Sequence, residues 1–147
     1  MIILDTNVLS ELMKPGPSAD VVRWTATQPA ASLYITSITQ AEIMYGILLL
    51  PKGKRRTALE TAADAMFAEE FGGRILSFGS EAARPYAEVA SKRSRAGRPI
   101  SHFDAQIAAI ALAHGSELAT RNVNDFASCG VRLINPWADE MTGDNDR

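Results

Sequence analysis

Three acidic residues stand at positions where a cluster could do chemistry. Asp5 closes the apolar run Ile2-Ile3-Leu4, Glu42 lies one turn beyond the capping-type residue Ser37, and Asp104 follows Ser101 by three residues. A fourth polar segment, Thr120-Arg121-Asn122-Val123-Asn124-Asp125-Phe126, follows another short apolar run. Each has a plain structural reading. Asp5 or Thr6 can cap a helix, Glu42 can favour a helix start through the dipole, Asp104 with Ser101 fits a capping box, and Asp125 can cap a short turn. Taken together they say more. Carboxylates gathered in one place raise one another's pKa, and a divalent cation removes that conflict. Oxygen-only ligands favour Mg²⁺ or Mn²⁺ over zinc. Such an ion lowers the pKa of bound water and neutralises charge on a phosphodiester transition state.

The elements around these residues decide whether they meet. Ile2 to Leu4 reads as a buried strand, followed by a short helix through Val8, Leu9 and Leu12 that Pro15 and Pro17 stop. Ser18 is placed to cap a second helix to about Thr25. Leu33 to Thr36 reads as a second strand, and Ser37 with Gln40 is a capping-box pattern for a helix to about Leu49. On that helix Ile38, Glu42, Tyr45 and Leu49 share a face, so Glu42 is expected to point at the protein. A helix over Thr57 to Glu70, a strand from Arg74 to Phe78 and a helix from Ser80 to about Arg95 follow. Ser101 to Ala113 reads as helix, with Asp104 on the face of Ile107, Ala108 and Ala111. Glu117 to Thr120 and Val131 to Ile134 read as the last two strands. Strands alternate with helices and no two-residue hairpin occurs. This implies an α/β fold with a central, mostly parallel five-stranded sheet flanked by helices. In such a sheet ligands bind beyond the carboxyl ends of the strands, where the three acids fall.

The 147 residues suit one domain and carry a formal charge of −2. The domain is expected to span residues 1–137, and residues 138–147, with four acids and one Arg, read as an acidic flexible tail. The longest unbroken apolar run, Ile107 to Ala113, is too short to cross a bilayer, and Asp5 leaves no room for a signal-peptide core. A single cysteine, Cys129, excludes an internal disulfide and favours a reduced, cytoplasmic setting. Eight of the 15 cations lie in two segments, Lys52 to Arg56 and Lys92 to Arg98, a source of sequence-independent phosphate contacts. No GxxxxGK[ST], GxGxxG, GxSxG or HExxH motif is present. His102 is expected to pack or lie at the surface, although it stands beside Asp104. His114 reads as a helix-end dipole partner and Cys129 as a packing residue.

Four stretches, in order, resemble the PIN-domain family, specifically the VapC/FitB-type toxins of type II toxin–antitoxin pairs. They are Ile3 to Glu11, Thr36 to Ile43 with Gly46, Pro99 to Ala109, and Leu118 to Phe126 followed by Asn135-Pro136-Trp137. The resemblance implies a Rossmann-like PIN fold, Mg²⁺- or Mn²⁺-dependent endoribonuclease activity, homodimerisation, and inhibition by a cognate VapB/FitA-like antitoxin that would carry the complex onto operator DNA. Position by position it implies Asp5, Glu42 and Asp104 as acidic site residues, with Asp5 and Asp104 as direct metal ligands and Glu42 completing the shell. Thr6 and Thr120 match hydroxyl positions that orient acids or water. Asn122 stands where many relatives carry a fourth acid, with Asp125 a substitute for it. Arg93, Arg95 and Arg98, with Lys54 to Arg56, are expected to guide RNA, and the net acidity implies weak, salt-sensitive binding. Two rival readings are a catalytically inactive PIN-fold module that binds antitoxin or RNA, and a haloacid-dehalogenase-like phosphotransferase. The second needs an Asp two residues after Asp5, where Asn7 stands.

Overall fold

A computed structural model describes residues 1–137; the expected acidic tail, 138–147, lies outside the described residues. Five parallel strands form the sheet: β1 (Ile2–Leu4), β2 (Leu33–Thr36), β3 (Ile75–Leu76), β4 (Glu117–Ala119) and β5 (Leu133–Ile134), in the order β3-β2-β1-β4-β5. Six α-helices flank it: α1 (Thr6–Leu12), α2 (Ala19–Ala26), α3 (Ser37–Leu48), α4 (Lys54–Ala65), α5 (Ala83–Arg95) and α6 (His102–Ala113). The alternation of β1 divides the core. Ile2 and Leu4 join Val8, Val21, Ile43 and Phe67 on one side, while Ile3 faces the other side with Ile107, Ile110, Leu118 and Phe126. Because both faces are covered, the strands read as continuous apolar runs.

The chain winds from β1 outward to β3, then crosses back to place β4 on the other side of β1. The strand order therefore reverses between β1 and β4, and the crevice such a reversal opens lies beyond their carboxyl ends. Asp5 follows β1 and Thr120 follows β4, so both sit at that crevice. The Asp5 N–H donates to the Ala119 carbonyl at 2.9 Å, which ties the two strand ends together.

Helix boundaries follow caps and breakers. The cap of α3 is Thr36 rather than Ser37: its hydroxyl accepts from the Thr39 N–H at 3.1 Å. Ser101 caps α6 as expected, accepting from the Asp104 N–H at 3.2 Å. Ser18 stands at the start of α2 without a side-chain cap bond. After α6 the chain reverses at Gly115, whose φ of 62° a side-chain-bearing residue adopts at a cost. The expected Thr57-to-Glu70 helix starts earlier, at Lys54, and ends in a π-helical turn over Met66–Glu70. The expected third and fifth strands are trimmed to two residues each. Among the described residues no helix is long and apolar enough to cross a membrane.

Candidate active site at the strand-order reversal

Asp5 sits at the floor of the crevice and is 4% exposed. Its Oδ1 accepts the Thr6 N–H at 2.8 Å, so it does cap α1. Its Oδ2 accepts the Thr120 hydroxyl at 2.8 Å and, more weakly, the Asn7 side-chain amide at 3.4 Å. Capping and site membership are therefore both true of Asp5. No Lys or Arg among the described residues pairs with it. Burial dominates and lifts its pKa to about 6, with Asp104 and Glu42 adding repulsion against the pull of the Thr120 and Thr6 hydrogen bonds.

Glu42 reaches the same crevice from α3. The Thr6 hydroxyl donates to its Oε1 at 2.6 Å and also lies 3.0 Å from the Thr39 hydroxyl. The expected face of this helix holds for Ile38, which packs against the core, and for Glu42, and fails for Tyr45 and Leu49. Thr39, Ile43 and Ile47 face the core, whereas Tyr45 and Leu49 are each 66% exposed. The helix is apolar nearly all round, so periodicity could not single out its buried stripe. Glu42 is half-buried because α1 leans over it.

Asp104 stands in the first turn of α6, over the fully buried Ile107, Ala108 and Ala111. Burial raises its pKa, partly offset by the Ser101 hydroxyl and reinforced by Asp125 and Glu42. Asp5, Glu42 and Asp104 line one cleft of about 400 Å³, together with Thr6, Asn7, Ser10, Glu11, Lys14, Arg121, Asn122 and Trp137. The three acids share the cleft without being closed onto one point. Among the described residues no three acidic, His or Cys side chains stand as a ready-made ligand group. The donor set nevertheless suits a hard dication: carboxylate oxygens only, a desolvated Asp5 without a cationic partner, and two carboxyl pKa values raised by burial first and by neighbouring acids second.

Several cleft residues lacked a distinctive signal. Asn7 donates to Thr120 Oγ1 at 3.4 Å and its Oδ1 accepts the Arg121 N–H at 3.2 Å, joining the turns after β1 and β4. Glu11 follows Asn7 by four residues, on the same helix face. It accepts from Lys14 at 3.0 Å and from the Ser18 N–H at 2.8 Å, which hold its carboxyl below the usual range. Thr120 is fully buried and also accepts the Asn122 N–H at 3.0 Å. The Asn122 side chain lines the cleft and brings no charge. Asp125 is exposed, acting on Asp104 only through space.

Arg93 requires a correction. It was expected on an RNA-facing surface, yet it is 6% exposed. Its Nε donates to the Arg98 carbonyl at 2.7 Å, and its Nη1 donates to the carbonyls of Asp125 and Ala127 at 2.9 and 3.1 Å. The side chain is consumed in pinning two loops beside Asp104, and Cys129 is packed against it. Arg95 and Arg98 are exposed, as are Lys54 and Arg55, while Arg56 pairs with Glu60 at 3.2 Å. His102 lies outside the cleft, 2.8 Å from the Tyr86 hydroxyl.

The PIN domain family matches residues 2–129. The chain belongs to the PIN-domain family. "VapC ribonuclease Y4jK" of Sinorhizobium fredii is 40% identical over 93% of this chain and 98% of its own length. "Toxin FitB" of Neisseria gonorrhoeae is 37% identical over 95% of this chain and its whole length. The solved structure of FitAB bound to the IR36 DNA fragment superposes with a TM-score of 0.90 at 36% identity, covering 97% of this chain and 100% of that one. The resemblance of the four sequence stretches is thus to the right family, and its VapC/FitB type is the one these relatives represent. In this PIN domain the acids come from the β1–α1 turn, from α3 and from the start of α6.

Proposed function

We propose that this PIN domain is the toxin of a toxin–antitoxin pair and acts as a divalent-metal-dependent endoribonuclease. The observation that carries the reading is the cleft. Three carboxylates from three separate βα units line one space at the strand-order reversal, with hydroxyls rather than cations on Asp5 and Glu42. Its likeness over nearly the whole chain to a VapC ribonuclease and to FitB supports the same reading.

Asp5, Asp104 and Glu42 would hold Mg²⁺ or Mn²⁺, with Asn122 an uncharged neighbour. The ion supplies a more acidic bound water and neutralises phosphate charge. The chain's own groups do the positioning. The Thr6 N–H and the Thr120 hydroxyl fix both oxygens of Asp5. The Thr6 hydroxyl fixes one oxygen of Glu42 and leaves Oε2 without a partner among the described residues. Hydrolysis in this cleft would bring water in opposite the departing 3′ oxygen, which would take up the water's proton and leave as a 3′-hydroxyl, with a 5′-phosphate on the other product. Exposed Arg95 and Arg98 would guide the RNA backbone.

For partners, we propose a homodimer and a cognate antitoxin that carries the complex to operator DNA, supported by the similar FitAB complex solved on a DNA fragment. The decisive experiment incubates purified protein with total RNA and Mn²⁺ and maps the ends. Cleavage leaving 5′-phosphates, abolished by EDTA and by Asp104→Asn with the melting transition intact, is the expected result. Equal cleavage by Asp104→Asn overturns the site. Absence of any EDTA-sensitive cleavage favours a non-catalytic binding module, which uncharged Asn122 would suit.

A further inference from the structure

We infer that Arg121, propped on the ring of Trp137, is the residue that receives an RNA phosphate at the mouth of the cleft, next to the one being cut. The inference deepens the nuclease reading and rests on it.

Two cations line the cleft, and they differ in what occupies them. Lys14 is 3.0 Å from Glu11, so its charge is already paired. Arg121 makes no ion pair among the described residues. Its guanidinium carbon lies 5.0 Å from the centroid of Trp137. A guanidinium held over a ring by a cation–π contact spends none of its N–H donors on hydrogen bonds there, and an unfilled N–H fork can take two oxygens of one phosphate. No side-chain hydrogen bond of Arg121 to a described residue fills that fork, and the residue is exposed. A free arginine would sample many rotamers. This one is held at both ends, because its backbone N–H donates to Asn7 Oδ1 at 3.2 Å while Trp137 packs against the core. Little ordering is left for the substrate to impose.

Charge gives the reason for such a residue. The cleft walls carry Asp5, Glu11, Glu42 and Asp104, which repel a polyanion. A cation bound among the acids offsets repulsion at the scissile phosphate only. The neighbouring phosphate needs its own partner, and Arg121 is the cleft cation with donors to spare.

The test measures binding of a fluorescein-labelled 12-nucleotide oligoribonucleotide pool of random sequence by anisotropy, at several salt concentrations without added metal. The protein carries Asp104→Asn so that the RNA survives. Adding Arg121→Gln should weaken binding about tenfold at low salt and reduce the slope of log affinity against log salt by about 0.7, the loss of one phosphate contact on a single strand. Arg121→Lys should keep the slope and lose several-fold in affinity, because the charge remains without the fork. Trp137→Leu, with Arg121 intact, should weaken binding without changing the slope. An unchanged affinity and slope in Arg121→Gln overturns the proposal, since a merely structural arginine would alter only the melting temperature. Calorimetric Mn²⁺ binding without RNA keeps the two readings apart. Loss of the ion in Asp104→Asn and its retention in Arg121→Gln support both. Retention in both variants sinks the metal site, and the salt slope then judges Arg121 alone.

Discussion

Asp5→Asn is expected to stabilise the metal-free protein at neutral and alkaline pH. The carboxyl is buried without a cation, and its pKa rises from 3.8 to about 6, mainly through desolvation. Each unit is worth about 1.4 kcal/mol, so ionising Asp5 in the native state costs ~3 kcal/mol relative to the unfolded chain. The native state holds the proton more tightly than the unfolded chain. The favourable contribution is therefore complete below pH 3.8 and is lost as the pH climbs through about 6. Asn removes this charge but does not reproduce every contact. Its oxygen still accepts the Thr6 N–H, while its NH₂ replaces Oδ2 opposite Thr120, which then accepts instead of donating, and meets the Asn7 amide. That rearrangement costs ~1 kcal/mol, leaving a net gain of ~2 kcal/mol at pH 8. For a chain of this size the gain raises Tm by roughly 4–8 °C. Melting in EDTA at pH 4.5, 6 and 8 reads it out: the advantage of Asp5→Asn should be absent at pH 4.5 and grow to its full size by pH 8. Adding Mn²⁺ should raise the wild-type Tm and leave the variant unmoved. A gap independent of pH, or a variant less stable than wild type at pH 8, refutes the reasoning.

Thr120→Val is expected to cost ~2–3 kcal/mol in urea unfolding and to suppress cleavage, because it strips Asp5 Oδ2 of its donor and the Asn122 N–H of its acceptor in a fully buried place; Thr120→Ser should behave almost as wild type. Arg93→Ala is expected to cost ~3 kcal/mol or more, since it leaves the carbonyls of Arg98, Asp125 and Ala127 short of a donor. Arg95→Ala, by contrast, should leave urea unfolding unchanged and lower the salt dependence of RNA binding, and equal stability losses for the two would contradict the burial of Arg93.

The strand–helix alternation was legible because buried parallel strands are short apolar runs and the caps Ser101 and Asp5 mark helix starts. Asp5 was legible because it directly follows a strand and so falls at the carboxyl edge of the sheet, whereas Glu42 and Asp104 were singled out by their places on predicted helices and by the family resemblance. What escaped depended on three-dimensional neighbours. Glu42 sits among apolar residues on every side of its helix, so the exposed stripe of Tyr45 and Leu49 was indistinguishable from the buried one of Ile43 and Ile47. Arg93 belonged by composition to a basic run, and only the two loops that fold over it reveal a side chain spent on carbonyls. Arg121 and Trp137 lie 16 positions apart, and nothing in either segment announces that one stacks on the other.

The way this fold distributes its cations explains why the cleft suits a metal. Arg93 is turned inward onto loop carbonyls, Arg74 donates to the carbonyls of Leu33 and Glu70, and Lys14 is paired with Glu11. Around Asp5 and Glu42 the chain places threonine hydroxyls and an asparagine amide instead, groups that orient a carboxylate without cancelling its charge. A cationic partner on Asp5 or Glu42 would relieve the repulsion, but it would fill the charge deficit that suits a dication. The instability of the metal-free crevice and the proposed affinity for an ion would then be two consequences of one arrangement. This is why the share of the pH dependence of melting that Asp5 carries and the response to Mn²⁺ are expected to disappear together when Asp5 is made neutral.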